Sequence, residues 1–373
     1  MDQAQAPLVD ESAVRIHNVW NLLLYAWDLA RWCGRWDGEA EMSTNLNGLL
    51  ARVLVDCTQL LLRHQLARAY TDSASEIRGI RGRIDFARSL KRLCFESGTA
   101  ACVYPELTAD NLRNRILRST LHRLSRDQSL EFGTKPHEAK ELRHALRASV
   151  RAMDGVKLQA IHASDFSRLQ LGRNDSAYAL PMAICRLLAR HETPSEQSGR
   201  GLFAHLARDE IAFQELFERF VRNFLRIHRA DLRVEAQELS WFDELGSKFV
   251  PRMRTDITVE WVKPIPRRLV IDTKYYGNAL SARFRDSEKF HSSNLYQLYA
   301  YLRTQEHRGG PHRDACGMLL YPVTNKRLDE RMRVQGHEIR VATIDLARPW
   351  MELEHNLLQL LEPDDKGKAQ PVN

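Results

Sequence analysis

Asp256, Asp272 and Lys274 are the side chains whose types and spacing could do chemistry. They lie in two apolar runs, residues 254–261 and 269–276, separated by a Pro-containing stretch at 263–267. Short apolar runs bounded by a turn predict the two strands of a hairpin. Side chains alternate along a strand, so Asp272 and Lys274 share a face, and the hairpin can bring Asp256 beside Asp272. Thr273 is expected to point its side chain away and to leave its backbone carbonyl beside the acids. Two carboxylates, that carbonyl and several waters suit Mg²⁺, which prefers oxygen ligands in an octahedron. Such an ion lowers the pKa of a bound water and stabilises charge on a phosphate, while Lys274 could orient or deprotonate the water. The chemistry would be hydrolysis of a phosphodiester. Taken alone, Asp-x-Lys on a strand is ordinarily a solvated surface pair. Here it follows Leu269, Val270 and Ile271, and Asp and Lys are rarely buried unless paired or bound to metal.

Other elements must position these groups. Residues 210–225 read as a helix with an apolar stripe of Ile211, Leu216, Phe217, Phe220, Val221 and Phe224. Glu218 on this helix could point toward the sheet, although locally a surface pair with Arg222 one turn on is the better reading. Residues 294–302 read as a second helix, and Gln297 and Tyr301, four apart, share one of its faces. Strands follow at 317–321 and 338–345, then a terminal helix. Helix, strands, helix, strand predicts an α/β core.

The N-terminal half reads differently. Residues 19–32 form a short apolar helix whose tryptophans are core. A long amphipathic helix is predicted over 45–70, with Leu46, Leu49, Leu50, Val53, Leu54, Cys57, Leu60 and Leu61 as its stripe. Residues 76–86 alternate apolar with basic or small, predicting a strand or a strand-turn pair; Gly79 and Gly82 permit a bulge or close approach of another backbone. A strand at 99–108 and helices at 110–124, 136–153 and 177–191 complete a mixed α+β domain. The polar, Gly/Pro/Ser-rich stretch 193–201 is the clearest linker. The expected division is therefore a domain over 1–200, a second over 201–362, and a disordered tail from 363.

With 373 residues, two domains are the natural expectation, and 43% apolar with 28% charged residues is ordinary for a globular protein. No apolar run reaches the ~18 residues of a membrane span. The N-terminus lacks the basic and apolar parts of a signal peptide, so a cytoplasmic location without membrane attachment is expected. The six cysteines are scattered without Cys-x-x-Cys, which points to core thiols and not to zinc or disulfides. His307 and His312 flank a Gly-Gly-Pro turn and read as loop residues. A net charge of +7 suits a phosphate-rich partner without establishing one. The sequence has no G-x-x-x-x-G-K-[ST] phosphate-binding loop, so any nucleotide-driven motor would be another protein.

The order acid on a helix, Asp, Asp-x-Lys, then Gln-x-x-x-Tyr on a helix resembles the PD-(D/E)xK nucleases, in particular their RecB-like branch. Thr255 stands where the family name has proline, a position that varies within the superfamily. Further blocks resemble the McrC family, the nuclease subunits of McrBC modified-cytosine restriction systems. They are Asn-Leu-Leu-Leu-Tyr-Ala-Trp at 21–27, Ile-Arg-Gly-Arg-Ile-Asp-Phe-Ala at 80–87, Asn-Arg-Ile-Leu-Arg-Ser-Thr-Leu at 114–121, and the segments 251–257, 271–276 and 288–298. Thr273 replaces an alanine common there, a change expected to be tolerated because it faces away from the metal. The resemblance implies a restriction-endonuclease-like C-terminal domain, a central mixed sheet flanked by helices, that cuts methylated double-stranded DNA. It implies Mg²⁺ on Asp256, Asp272 and the Thr273 carbonyl, Lys274 as catalytic lysine, a weaker role for Glu218, and Gln297 and Tyr301 shaping the site or holding DNA backbone. It further implies a hexameric McrB-like AAA+ GTPase partner that binds the GTP and reads the modified cytosine. The N-terminal domain would insert into that ring and stimulate it, and two copies of the chain could bridge two rings. The basic segment Arg78 to Arg83 is a candidate partner or DNA contact. Two alternatives stay open: an inactive adaptor that only activates the GTPase, and a stand-alone nuclease of the same superfamily.

Overall fold

The computed structural model describes residues 14–43, 45–133, 136–190, 206–207, 209–241, 247–275, 292–323 and 327–362. The chain forms two compact units, one of residues 1–46 with 199–373 and one of 47–198. This differs from the division expected at residue 200, which placed the first 46 residues in the N-terminal domain. The reason lies in helix α1 (Ile16–Ala26), whose residues from His17 to Ala26 are all buried. A helix buried on every side belongs inside a core, where its polar side chains need partners. Asn18 donates to the carbonyls of Leu346 at 2.8 Å and Arg348 at 2.7 Å, and the Tyr25 carbonyl accepts from Asn223 at 2.8 Å. A short helix α2 (Asp37–Met42) follows, and Trp20 packs edge-on against Trp36. The linker expected at 193–201 and the tail expected from 363 lie outside the described residues.

The unit of 47–198 opens with α3 (Leu46–Arg63). It stops seven residues short of the predicted end at 70. Gln65 takes a left-handed φ of 63°, which ends the helix and turns the chain into strand β1 (Ala69–Ile77). β2 (Arg83–Ile84), α4 (Phe86–Lys91) and β3 (Ala100–Thr108) follow, and the three strands pair antiparallel in the order β1-β3-β2. Of the stretch 76–86 only 76–77, the end of β1, and 83–84, β2, are strand, and the two flank β3 without pairing with each other. At Gly82, with φ +67°, an added Cβ would fall 2.4 Å from the Val103 carbonyl oxygen, so this is the close backbone approach that the glycine permits. Helices α5 (Leu112–Arg126), α6 (Pro136–Ala152), α7 (Ala163–Ser167) and α8 (Ala179–Arg190) complete the unit. Asn114 is fully buried because it joins elements: its amide donates to the Ala67 and Ala109 carbonyls, and it accepts from the Tyr178 hydroxyl at 2.7 Å.

The other unit resumes with α9 (Glu210–His228), capped by Asp209, whose side chain accepts from Ala212 N. Phe213, Phe217, Phe220 and Phe224 form its buried stripe, whereas Ile211, expected in that stripe, is 75% exposed. The four aromatics recur at three- and four-residue steps, and position 211 falls off their face. Strands β4 (Arg233–Glu235), β5 (Glu238–Leu239), β6 (Met253–Arg254), β7 (Ile257–Trp261) and β8 (Arg267–Thr273) come next. Helix α10 (Ser292–Arg303), strands β9 (Cys316–Val323), β10 (Asp329–Val334) and β11 (His337–Asp345), and α11 (Trp350–Gln359) finish it. Six strands form one mixed sheet in the order β10-β11-β9-β8-β7-β4, parallel across β11-β9-β8 and antiparallel at both sides. Helix α10 covers β8 and β9 through Leu298, Tyr301 and Leu302, which pack with Val270, Leu319 and Tyr321. It approaches closely because Gly317 carries no side chain: a Cβ there would meet Leu298 at 2.9 Å. Among the described residues, no helix is long and apolar enough to cross a membrane.

Candidate active site

The hairpin expected from the sequence is present: β7 and β8 pair antiparallel with Ile257 opposite Ile271. One further step in that register sets Asp256 across from Asp272. Asp256 itself lies in a bend between β6 and β7, outside the strand in which it was expected. There its carboxylate is free to swing toward β8, and Oδ2 accepts from the Thr273 backbone N–H at 2.8 Å and the Thr273 hydroxyl at 2.9 Å. The side chain of Thr273 was expected to face away from the site; instead it grips one of the acids, because that acid has left the ladder. Thr255 also makes a contact that a proline could not. Its N–H donates to the Gln237 carbonyl at 3.0 Å, and its hydroxyl accepts from Gln237 N at 3.0 Å.

Asp272 is fully buried and Lys274 is 7% exposed. Lys274 Nζ lies 2.9 Å from Asp272 Oδ2, but off the line of a well-formed hydrogen bond. Both Asp272 oxygens are thus without a hydrogen-bond donor among the described residues. Burial pushes the Asp272 carboxyl up to about 7, with Lys274 opposing the rise and Asp256 and Glu218 adding to it. Lys274 Nζ also donates to Gln297 Oε1 at 3.0 Å, and Gln297 Nε2 donates to the Tyr301 hydroxyl at 2.7 Å. The face shared by Gln297 and Tyr301 on α10 therefore meets the lysine that follows β8. Tyr276 and residues 288–291 lie outside the described residues.

Glu218 is half-buried on α9 and accepts from Arg222, the pair expected from their spacing. Burial and then the Asp256 charge raise its pKa. Arg222 also donates to the Asp256 carbonyl at 3.3 Å. One turn before Glu218, Gln214 Nε2 donates to the Thr273 carbonyl at 3.4 Å. Sequence reading passed over Gln214 and Arg222 as site residues. The signal was available in the spacing 214, 218, 222, which places all three on one face of α9.

Among the described residues, no group of three or more His, Cys, Asp or Glu side chains could hold a metal. A site here would draw on two carboxylates, a backbone carbonyl and water. The fit rests on Asp272: a fully buried carboxylate with no hydrogen-bond donor is costly unless a cation meets it. Lys274 supplies one charge at one oxygen, and the all-oxygen donor set suits Mg²⁺. His307 and His312 lie in short 3-10 turns, as expected for loop residues, and the six cysteines form no disulfide.

A family model described as McrBC 5-methylcytosine restriction system component matches residues 36–322. The type IV methyl-directed restriction enzyme EcoKMcrBC of Escherichia coli (strain K12) is 27% identical over 358 residues, covering 95% of this chain and 99% of the relative. Among solved structures, a chain of the refined half-complex from a tetradecameric assembly of Thermococcus gammatolerans McrB AAA+ hexamers with bound McrC has a similar fold. The TM-score is 0.51 at 18% identity, covering 93% of this chain and 75% of that one. A chain of the McrBC complex from the same organism, solved by cryo-EM, gives a TM-score of 0.35 at 20% identity over 56% of this chain and 57% of that one, too distant to argue from.

Proposed function

Because this chain belongs to the family of McrBC 5-methylcytosine restriction system components, we propose that it is the DNA-cutting subunit of a GTP-dependent, modification-dependent restriction system. The observation that carries the reading is the juxtaposition of Asp256 and Asp272 at the end of one hairpin, with Lys274 held on Gln297 beside them. On this reading the unit of 1–46 with 199–373 is a PD-(D/E)xK endonuclease domain of the cytoplasm.

Asp256, Asp272 and the Thr273 carbonyl would hold Mg²⁺, which supplies a water of lowered pKa and charge stabilisation for the scissile phosphate. The protein's own groups do the rest. Lys274 Nζ, turned toward the site by Asp272 and Gln297, orients the attacking water and meets charge developing on the phosphate. Tyr301 fixes the Gln297 amide that holds the lysine. Glu218 adds negative charge that favours cation binding, and Arg222 keeps that charge from standing alone.

The partner would be a McrB-like AAA+ GTPase hexamer. The unit of 47–198 would dock into the ring and stimulate GTP hydrolysis, and two copies of the chain could bridge two rings on double-stranded DNA carrying modified cytosine. The Thermococcus gammatolerans assembly, in which McrC is bound to McrB AAA+ hexamers, supports this choice of partner. The test reconstitutes the chain with its partner, GTP, Mg²⁺ and a methylated plasmid. Asp256→Ala and Lys274→Ala should each abolish cutting and leave GTPase stimulation intact. Full cutting by both variants would overturn the site. An uncut plasmid with the native chain, alongside stimulated GTP hydrolysis, would favour an adaptor.

A further inference from the structure

At the end of β8 the backbone of Thr273 has lost its sheet partner on the β7 side. The β7–β8 pairing ends at Ile257 opposite Ile271, and Thr255, which would come opposite Thr273, instead donates its N–H to Gln237. Side chains take over both ladder groups of Thr273. Its N–H goes to Asp256 Oδ2 at 2.8 Å, and its carbonyl accepts from Gln214 Nε2 at 3.4 Å. The N–H of the same peptide unit, on Lys274, donates to the Leu320 carbonyl on β9 at 3.0 Å. This peptide plane is therefore held from both sides, by β9 and by α9. It joins the buried acid's strand to the lysine, and its oxygen is the backbone ligand in the site proposed above.

We propose that Gln214 is a positioning residue for the metal site: by holding the Thr273 carbonyl it sets the direction of that ligand and so the site's affinity for a divalent cation. The inference rests on the metal-binding reading of Asp256 and Asp272. A carbonyl oxygen has two lone pairs, so one can accept from Gln214 while the other faces a cation. Three features single out Gln214. It is half-buried on the face of α9 that also carries Glu218 and Arg222. It is uncharged, so it orients the carbonyl without repelling a cation. The backbone it holds has no ladder partner of its own on the β7 side.

The experiment is a Mn²⁺ titration of the full-length chain, followed by the electron paramagnetic resonance signal of the free ion, for native protein, Gln214→Leu, Gln214→Asn and Asp256→Ala. Asparagine keeps the amide but is one methylene too short to reach the carbonyl. Removing a group that orients a metal ligand typically weakens binding ~10-fold or more. Both Gln214 variants should therefore bind Mn²⁺ about 10-fold more weakly. In the reconstituted complex, the Mg²⁺ concentration for half-maximal cutting should rise by a similar factor, with little change at saturating Mg²⁺. A general packing defect would instead lower the saturated rate at unchanged Mg²⁺ dependence. Native affinity in both Gln214 variants, with binding lost in Asp256→Ala, would overturn the role of Gln214 alone. Native affinity in Asp256→Ala would overturn the metal site itself.

Discussion

Near neutral pH, Asp272 sits close to its own midpoint, because burial strips more stabilisation from the carboxylate than Lys274 restores. Its carboxyl is raised to about 7 in the folded chain against about 3.9 when unfolded. A raised folded pKa means that the proton itself stabilises the metal-free fold. That contribution is full below about pH 4 and is lost as pH rises through about 7. With metal chelated, urea denaturation should show that Asp272→Asn removes this loss, so the variant gains on the native chain between about pH 4 and about pH 7. An equal pH response in both proteins would contradict the account. A cation must displace the same proton, so divalent affinity should strengthen as pH rises through about 7. Mn²⁺ titrations on either side of neutrality check this, and a flat profile would count against Asp272 as ligand. At this scale the sequence was informative about Asp272, Lys274, Gln297 and Tyr301, because apolar neighbours and fixed spacing placed them on known faces, and less so about Asp256, which lies in a bend and not in the strand expected for it. It was less so about Thr273. The alternation rule assumes that both strands continue, and here one had already ended.

Elements place these residues, and glycines decide how closely some elements approach. Gly82 has a left-handed φ and faces the Val103 carbonyl oxygen, 2.4 Å from where a Cβ would sit. Gly82→Ala is expected to destabilise the unit of 47–198 by more than the ~1 kcal/mol scale of glycine-to-alanine changes at compatible sites. Chemical denaturation measures it, and a neutral or stabilised variant would show that the β2–β3 approach can relax. The α9 stripe makes a second case. Phe220 and Phe224 are fully buried, so Phe224→Ala should cost about 3–5 kcal/mol, whereas Ile211→Ala at its exposed position should cost little. Strands with strong apolar runs, such as β8, β9 and β11, were readable from sequence. The polar β10 and the two- and three-residue strands β4, β5 and β6 were not, because pairing with neighbours makes them strands, not their own composition. The end of α3 was overrun, because a single left-handed glutamine marks it and no glycine or proline does.

For the whole molecule, the division into units differs from the linear order of the chain. Composition pointed to a break near 200. No local pattern could show that α1 belongs with a helix far downstream, where Asn223 meets Tyr25 across 198 residues of sequence. A fragment of residues 201–362 should therefore fail to fold cooperatively, since it lacks the helix that packs on Phe220 and Phe224 through Tyr25. A sharp thermal transition in that fragment would contradict the assignment. If the unit of 47–198 engages the GTPase while the other unit cuts, the two activities must separate by mutation. The most direct measurement is the rate at which methylated duplex DNA is cut by the chain with its partner, GTP and Mg²⁺, comparing native protein with Asp272→Asn. The account predicts cutting by the native chain and none by the variant, with GTP hydrolysis stimulated equally by both; cutting by Asp272→Asn at the native rate would contradict it.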